Sequence, residues 1–227
     1  MGQEQMVVLA NSKKLGGYCM AGKALDAAGH VGGWMRPVTA AVEDGLPMRR
    51  TLCSDGRQAA ILDVVTQDWG LPAPALHQRE NRLMGPATLQ RCGRVAWDDL
   101  PALADNASSG LWKNGDSSSC GLNDRVSADL LPHLPGSLLL IATPELVLRR
   151  TLGYEGRIKY RAEFCIGTQR YNLALTDTVA IAWLNSTPRL VLADAYVCIS
   201  LAVPFHDGFA YKLATAVITK ERAESMT

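Results

Sequence analysis

The first polar cluster of the chain lies where a short apolar run ends. Asn11, Ser12, Lys13 and Lys14 follow residues 7–10 (VVLA) and precede a pair of glycines. Side chains and exposed backbone amides converge at such a turn, so the cluster predicts a site for an anion such as a phosphate. The alternative interpretation is a solvated turn whose lysines serve solubility.

A second candidate places an aromatic ring next to a guanidinium group. Trp34 and Arg36 stand on either side of Met35, directly after another pair of glycines. An aromatic face beside an arginine can stack on a base and contact its phosphate. The alternative is a core tryptophan with a surface arginine.

Five hydrogen-bonding side chains stand together between prolines: His77, Gln78, Arg79, Glu80 and Asn81. We interpret Gln78 and Asn81 as nucleotide contacts. His77 and Glu80 form an alternative general acid–base pair, because imidazole and carboxylate groups can exchange a proton near neutral pH. A loop whose side chains satisfy its own backbone explains the same residues.

Residues 149–161 (RRTLGYEGRIKYR) combine several basic side chains with a single acid and two tyrosines. We assign Arg149, Arg150, Arg157 and Lys159 to phosphate contacts. Basic residues interleaved with aromatic ones are typical of a groove for single-stranded nucleic acid. A hairpin edge protected by charge gives the same pattern.

Composition narrows the function classes. The 227 residues are 48% apolar and 20% charged, which indicates a globular chain of one large domain or two smaller ones. The formal net charge of +1 gives no overall field that attracts nucleic acid, so any such binding must depend on local patches.

Several common site motifs are absent from the sequence. The 4 histidines lack metal-ligand spacing, and neither a phosphate-binding P-loop nor a G-x-S-x-G elbow occurs. The 6 cysteines are isolated, which predicts free thiols rather than a disulfide framework. We therefore expect no metal, no cofactor and no catalysis by the chain itself, although enzymatic activity stays open.

No run of apolar residues is long enough for a membrane helix, and the N-terminus lacks the pattern of a signal peptide. With isolated cysteines, this predicts a cytoplasmic protein that does not bind membranes.

Apolar runs of strand length, separated by glycine and proline, fill both halves of the chain. The alternation in residues 160–166 and 171–175 predicts a hairpin, with Tyr160 on the inner face and Arg161 pointing outward. Short helices are expected at residues 98–105, after Thr143, and after Asp177, which is a suitable N-terminal cap.

These elements predict a mainly β protein built of two small barrels with short helices. We place the first barrel at residues 1–95 and the second at 136–227. Between them, residues 96–135 form a polar connecting segment, of which 106–125 is expected to be a long exposed connection.

The chain also resembles a known family. The strings VVLANSKKLGGYCMAGKAL, GGWMRPVT and HQREN resemble the opening half of the bacterial dual OB-containing domain family, and YNLALTDT and VCISLAVPFHDGFAYKLATAVI resemble its closing strands. The resemblance implies two OB-like barrels in tandem, and it adds Tyr211 and Lys212 to the candidate nucleic-acid contacts. Where the family tends to carry proline in its H-Q-x-E-N loop, this chain has Arg79.

The leading functional hypothesis is a nucleic-acid-binding protein that prefers single-stranded DNA or RNA, or structured RNA. One alternative is a small nucleotide-binding enzyme or sensor that uses the loop at residues 77–81. Another is a scaffold whose barrels bind a protein partner.

Overall fold

The structure, a computed structural model, describes residues 4–14, 16–39, 45–153 and 156–225. The chain forms two compact units that divide after Leu103, and the residues from Glu221 onward group with the first unit. The predicted fold class, mainly β with two OB-like barrels and short helices, is confirmed.

The first unit is a curled sheet of seven strands. They are β1 (Gln5–Lys14), β2 (Gly17–Leu25), β3 (Val31–Val38), β4 (Asp63–Thr66), β5 (Trp69–Pro72), β6 (Asn81–Met84) and β7 (Gln90–Arg94). Their order across the sheet is β5-β6-β3-β2-β1-β4-β7, in which β6 runs parallel to β3. The long excursion between β4 and β7 therefore returns to the outer side of β3.

One glycine allows β1 and β2 to approach each other closely. A Cβ atom at Gly22 would lie 1.8 Å from the carbonyl oxygen of Val7, so no larger residue fits there. A bulge between Val8 and Ala10 bends β1 at the same point. The curved sheet encloses an apolar core to which Met6, Val8, Met20, Met35, Leu46, Val65 and Leu89 contribute.

The second unit contains a closed five-stranded barrel. Its strands are β9 (Leu138–Leu152), β10 (Ile158–Ile166), β11 (Gln169–Leu175), β12 (Arg189–Leu201) and β13 (Phe209–Ile218), and the short β8 (Arg125–Ser127) pairs with β13. The antiparallel order β11-β10-β9-β12-β13 closes through parallel pairing of β11 with β13. The predicted hairpin is confirmed as β10 and β11.

Short helices complete both units. They are α1 (Leu100–Leu103), α2 (Thr178–Trp183) and α3 (Lys220–Ser225), with 3₁₀ turns at Met48–Arg50, Trp97–Asp99 and Ala128–His133. Asp177 caps α2 as predicted, since its carboxylate accepts from the amides of Val179 at 3.0 Å and Ala180 at 3.4 Å. The predicted helix at 98–105 appears as a 3₁₀ turn followed by α1.

The helix predicted after Thr143 is wrong, because β9 continues through this stretch. Pro144 lacks an amide hydrogen, yet the strand tolerates it. On the β12 side, the pairing keeps one register on both sides of Pro144 and omits only the position where Pro144 lies opposite Asp194, a residue with a left-handed φ of 48°. On the β10 side, pairing begins only at Leu146, so no hydrogen bond from Pro144 is required.

Residues 106–125 are not the exposed connection that their polarity suggested. Leu111 is fully buried, and its amide donates to the hydroxyl of Tyr171 at 3.0 Å. Leu122 pairs with Asn172 of β11 through two backbone hydrogen bonds. The segment therefore pairs with β11 through its backbone and contributes Ala107 and Leu111 to the core of the second unit.

Candidate nucleic-acid interface

A groove opens on the outer side of the second barrel, which we call the second-unit groove. It has a volume of about 450 Å³. Its walls come from the start of β10, the end of β11, the start of β13 and residues 118–124. Its lining includes Ser118, Ser119, Cys120, Asp124, Lys159, Tyr160, Arg161 and Tyr211. In OB folds the second and third strands and the loop between the fourth and fifth form the ligand face, and here these are β10, β11 and residues 202–208.

The two cations of the second-unit groove differ in their partners. Arg161 is buried and donates to the carboxylate of Asp124 at 3.2 Å and to the side-chain oxygen of Asn172 at 2.7 Å. Arg161 is thus not among the core residues of the hairpin, as the alternation predicted, but it is buried rather than exposed because residues 118–124 cover it. Lys159 is half-buried, and its amine lies 3.2 Å from the sulfur of Cys120.

The environment of Cys120 favours a thiolate. Hydrogen bonds from the Ser119 hydroxyl and the Lys159 amine lower the pKa of the Cys120 thiol, with a further contribution from the charge of Arg161. A thiol of lowered pKa at an accessible position is more nucleophilic near neutral pH than an ordinary cysteine.

Aromatic side chains continue from the groove onto the loop between β12 and β13. Tyr211 lines the groove and donates to Asp207 at 2.5 Å, which raises the pKa of Tyr211 and lowers that of Asp207. The ring of Phe205, which is 57% exposed, lies 6.4 Å from that of Tyr211 and 4.0 Å from that of His206. These rings provide a surface on which bases can stack.

Most of the other basic residues assigned to phosphates are occupied within the second unit. Arg149 pairs with Glu163 at 2.9 Å, and Arg150 donates to the carbonyl of Asn185 at 3.4 Å. Arg157 is exposed, two residues before Lys159 in the chain. Of the predicted cluster, Lys159 lines the groove and Arg157 lies close to it in sequence.

Lys212 occupies the interior rather than the surface. Its fully buried amine donates to the carbonyl of Lys113 at 2.6 Å and to the side chain of Asn114 at 3.1 Å. Burial lowers the pKa of Lys212 to about 8. The predicted nucleic-acid contact is thus replaced by a structural one, which anchors residues 113–114 to β13.

A cleft of about 220 Å³ lies in the first unit, and we call it the first-unit cleft. It forms because β3 and β6 pair in parallel, with Arg36 opposite Asn81. Two motifs that are far apart in the sequence therefore meet. The lining comprises Glu4, Ala24, Gly33, Trp34, Met35, Pro72, Arg79, Glu80, Asn81 and Arg82.

Beneath the first-unit cleft, Arg36 and Glu80 form a buried ion pair. Their charged groups lie 3.2 Å apart, and each side chain is only 5% exposed. The Arg36 amide also donates to the Glu80 carbonyl at 2.9 Å. His77 is fully buried. The pair fixes residues 77–81 against β3, and it engages Glu80, which the sequence suggested as an acid–base group.

The walls of the first-unit cleft carry balanced charge around one indole ring. Trp34 is half-buried, and the amine of Lys23 lies 5.4 Å from the centre of its ring. Arg82 forms an ion pair with Glu4. Arg79 is exposed at the rim.

Asn81 is the polar residue of this cleft with incomplete hydrogen bonding. Its side-chain amide donates to Gln78 at 3.3 Å, whereas its Oδ1 is shielded from solvent and has no donor within the described part of the chain. The residue is 6% exposed. A buried acceptor without a donor is costly unless a ligand or water supplies one.

The N-terminal cluster is divided between structural and exposed positions. Asn11 donates to the carbonyl of Ala59 at 2.8 Å, and Ser12 is buried. Lys13 is exposed, and the side chain of Lys14 lies outside the described residues. The described side chains of this cluster do not converge on one point, because they lie along a strand rather than in a turn.

Other site types have less support in the described ranges. No group of three or more histidine, cysteine, aspartate or glutamate side chains there is arranged to hold a metal ion. All six cysteines are free thiols. A helix both long and apolar enough to cross a membrane is not found among the residues described.

A comparison with protein families decides the relationship. The model of the dual OB-containing domain matches residues 4–217, which is nearly the whole chain. The chain belongs to this family. Neither a curated protein nor a solved structure matches it. This dual OB protein thus has the tandem architecture that the sequence resemblance implied.

Sequence reasoning missed the contributions of Cys120, Phe205 and His206. Cys120 lies in a segment that was predicted to be a connection, so its pairing with Lys159 had no sequence signal. Phe205 and His206 were visible in the sequence as an aromatic pair between two predicted strands. A loop position of this kind in an OB fold was the available clue.

Proposed function

We propose that the protein binds single-stranded nucleic acid, DNA or RNA, in the second-unit groove. The observation that carries this proposal is the position of Lys159 and Tyr211 in one groove on the ligand face of a closed OB barrel. A cation and an aromatic ring side by side meet the two repeating features of a strand, its phosphates and its bases.

Stacking accounts for the proposed contact with bases. Tyr211 in the groove and Phe205 on the adjoining loop are held at an edge-to-face angle of 82°. Each stacked base contributes about 1–3 kcal/mol, whatever its identity, because every base has a π face. The surface is thus suited to a strand without a fixed sequence.

Phosphate contacts are assigned to Lys159 and Arg157. Among the described residues, the Lys159 amine has one hydrogen-bond partner, the sulfur of Cys120 at 3.2 Å, which leaves donor capacity for a phosphate oxygen. Elsewhere on the barrel a second cavity of about 260 Å³ is lined by Glu145, Glu163 and Arg170, so acidic residues outnumber basic ones there. In the second-unit groove the balance is reversed, because Lys159 and Arg161 outnumber Asp124. The charge distribution therefore favours the second-unit groove.

Fluorescence anisotropy with a labelled oligothymidylate of about twelve nucleotides tests the proposal, since OB folds cover roughly 4–16 nucleotides. The logarithm of the association constant should fall with the logarithm of salt concentration, by about 0.7 per phosphate neutralised. Replacing Arg157 and Lys159 by alanine should flatten this slope by roughly one to two units. Tyr211→Ala should weaken binding by about 1–3 kcal/mol at an unchanged slope.

The matched control is the double variant Arg57→Ala with Arg189→Ala. Both arginines are exposed, and the variant removes the same charge from positions outside the groove. It should leave the salt slope close to that of the native protein. The proposal is refuted if, at low salt, the oligonucleotide binds this protein no more tightly than it binds a neutral control protein.

We place this binding in the cytoplasm, on the support of six free cysteines, which are typical of a reducing compartment. The proposal includes no catalytic step. If oligonucleotides fail to bind, a protein partner becomes the occupant to test for the groove.

A further inference from the structure

We infer that the first-unit cleft is a binding site for one nucleobase that carries an exocyclic amino group. The cleft is separate from the second-unit groove, so this inference does not depend on nucleic-acid binding there. The base can belong to a free nucleotide or to a strand, and the experiment distinguishes these sources.

The first step is the state of Asn81. Its amide nitrogen donates one of its two hydrogens to Gln78 at 3.3 Å, which orients the side chain and identifies Oδ1 as its acceptor atom. That oxygen is buried and accepts no hydrogen bond within the described ranges. Asn81 lines the cleft, so a donor that enters the cleft can satisfy it.

The second step is the chemistry of that donor. Adenine, cytosine and guanine carry an amino group that projects from the ring edge and donates two hydrogen bonds. Thymine and uracil offer only a ring N–H between two carbonyl oxygens, which would face Oδ1 of Asn81 and repel it. An acceptor fixed in this way therefore selects bases with an amino group.

The third step is the wall of the cleft. Trp34 supplies an aromatic surface against which a flat base can stack. The lining carries Glu4 and Glu80 as well as Arg79 and Arg82, so acidic and basic residues balance. A cleft without net positive charge is suited to a neutral base rather than to a phosphate group.

Calorimetric titration with two mononucleotides tests the inference. Adenosine 5′-monophosphate and purine riboside 5′-monophosphate share ring, sugar and phosphate, and they differ in the amino group alone. We expect the adenosine nucleotide to bind about 3- to 10-fold more tightly, as for one hydrogen bond to a buried acceptor. A second arm compares oligoadenylate with the same oligomer made from unsubstituted purine.

Asn81→Leu should abolish the preference for the amino group in whichever arm shows it, because leucine has nearly the same shape and no acceptor. Gln67→Leu is the matched control: Gln67 is also a buried amide of the first unit without a partner in the described chain, but it does not line the cleft. It should keep the full preference.

The outcomes separate clearly. A preference in the mononucleotide arm identifies a free nucleotide as ligand, and a preference in the oligomer arm alone identifies a base within a strand. Equal affinities in both arms, or a preference that survives Asn81→Leu, would overturn the inference. Because oligothymidylate has no exocyclic amino group, its binding to the second-unit groove is judged separately.

Discussion

Both units hold a loop against the barrel with the same device, a strand arginine buried beside a loop carboxylate. In the first unit the pair is Arg36 and Glu80, and in the second it is Arg161 and Asp124, each joined at 3.2 Å. The surroundings differ. The first pair lies under a cleft with balanced charge and an acceptor without a donor among the described residues. The second lies beside a groove that is lined by Lys159 and Tyr211.

This difference shows that the number of arginines in a motif does not reveal which of them can meet a ligand. Arg36 stands in a candidate binding motif and Arg161 at the end of the basic segment 149–161, yet both form ion pairs that fix loops. The residues left for ligands are neighbours of these arginines: Asn81 in one unit and Lys159 in the other. We expect the first unit to discriminate between bases and the second to respond to salt.

The largest expected effect comes from removing one arginine of each pair. Arg36→Ala and Arg161→Ala each leave a buried carboxylate without its cation, which should cost about 3–5 kcal/mol of stability. Hydrogen exchange read by mass spectrometry should show faster exchange mainly in the first unit for Arg36→Ala and mainly in the second for Arg161→Ala.

Arg57→Ala is the control for these variants, because its side chain is 76% exposed and its ion pair with Asp55 should contribute less than about 1 kcal/mol. If both buried variants loosen both units alike, the two loops are not anchored separately and the comparison fails.

A smaller effect is expected from Lys212 of the second unit. Its pKa falls from 10.5 to about 8 on burial, so between these values the unfolded chain binds more protons than the folded one. Stability contributed by this residue therefore rises as pH increases from 8 to 10.5, by roughly 3 kcal/mol at most.

Urea denaturation of the native protein and of Lys212→Met across this pH range measures the effect. The native protein should gain stability relative to the variant as pH rises. Parallel curves for the two proteins would mean that the amine is not buried in solution.

Alternation and turn residues were enough to predict the β10–β11 hairpin, the cap at Asp177 and the two-barrel architecture. These features are encoded in local sequence patterns, such as the alternation of a strand or the capping residue of a helix. The strand through Pro144 could not be predicted, because Pro144 lies opposite Asp194 of a distant strand at a position that the β9–β12 pairing omits. The burial of Arg161 depended on the position of residues 118–124, which is a tertiary fact without local signal.

The candidate sites likewise combine features that the sequence predicts with features that depend on tertiary contacts. Trp34, Gln78 and Asn81 were proposed from their types, but their meeting depends on the parallel pairing of β3 with β6. Residue type alone likewise could not distinguish Lys159, which lines the groove, from Lys212, which is buried. In both cases, partners from segments that are distant in the chain determine whether a side chain can meet a ligand.

A more modest effect concerns the thiol of Cys120. Because Ser119 and Lys159 lower the pKa of Cys120, iodoacetamide should modify it faster than the exposed Cys165 at neutral pH. Lys159→Met should slow the modification several-fold. Mass spectrometry of peptides after timed alkylation gives both rates.

Alkylation by iodoacetamide also measures ligand binding at the two sites, because a bound ligand shields nearby cysteines. Bound oligothymidylate should protect Cys120, which lines the second-unit groove, but not Cys92 of the first unit. Adenosine 5′-monophosphate in the first-unit cleft should protect neither. Protection of Cys120 by the mononucleotide would place both ligands in one site and remove the distinction between the units.

The smallest expected effect separates a functional from a structural buried amide. Gln67 and Asn81 both have side-chain atoms without partners in the described residues. Replacing a buried polar group without partners by an apolar one of similar shape is nearly neutral or stabilising. We therefore expect Gln67→Leu to change stability by less than about 1 kcal/mol, measured by thermal denaturation without ligand. Asn81→Leu should also stay within about 1 kcal/mol, since it loses one hydrogen bond to Gln78 but also the unsatisfied acceptor.

Under saturating adenosine 5′-monophosphate the two variants should diverge. The melting temperature of Gln67→Leu should rise as for the native protein, and that of Asn81→Leu should rise less. Equal increases for both variants would assign Oδ1 of Asn81 to the structure alone and leave the first unit without its base-selective site.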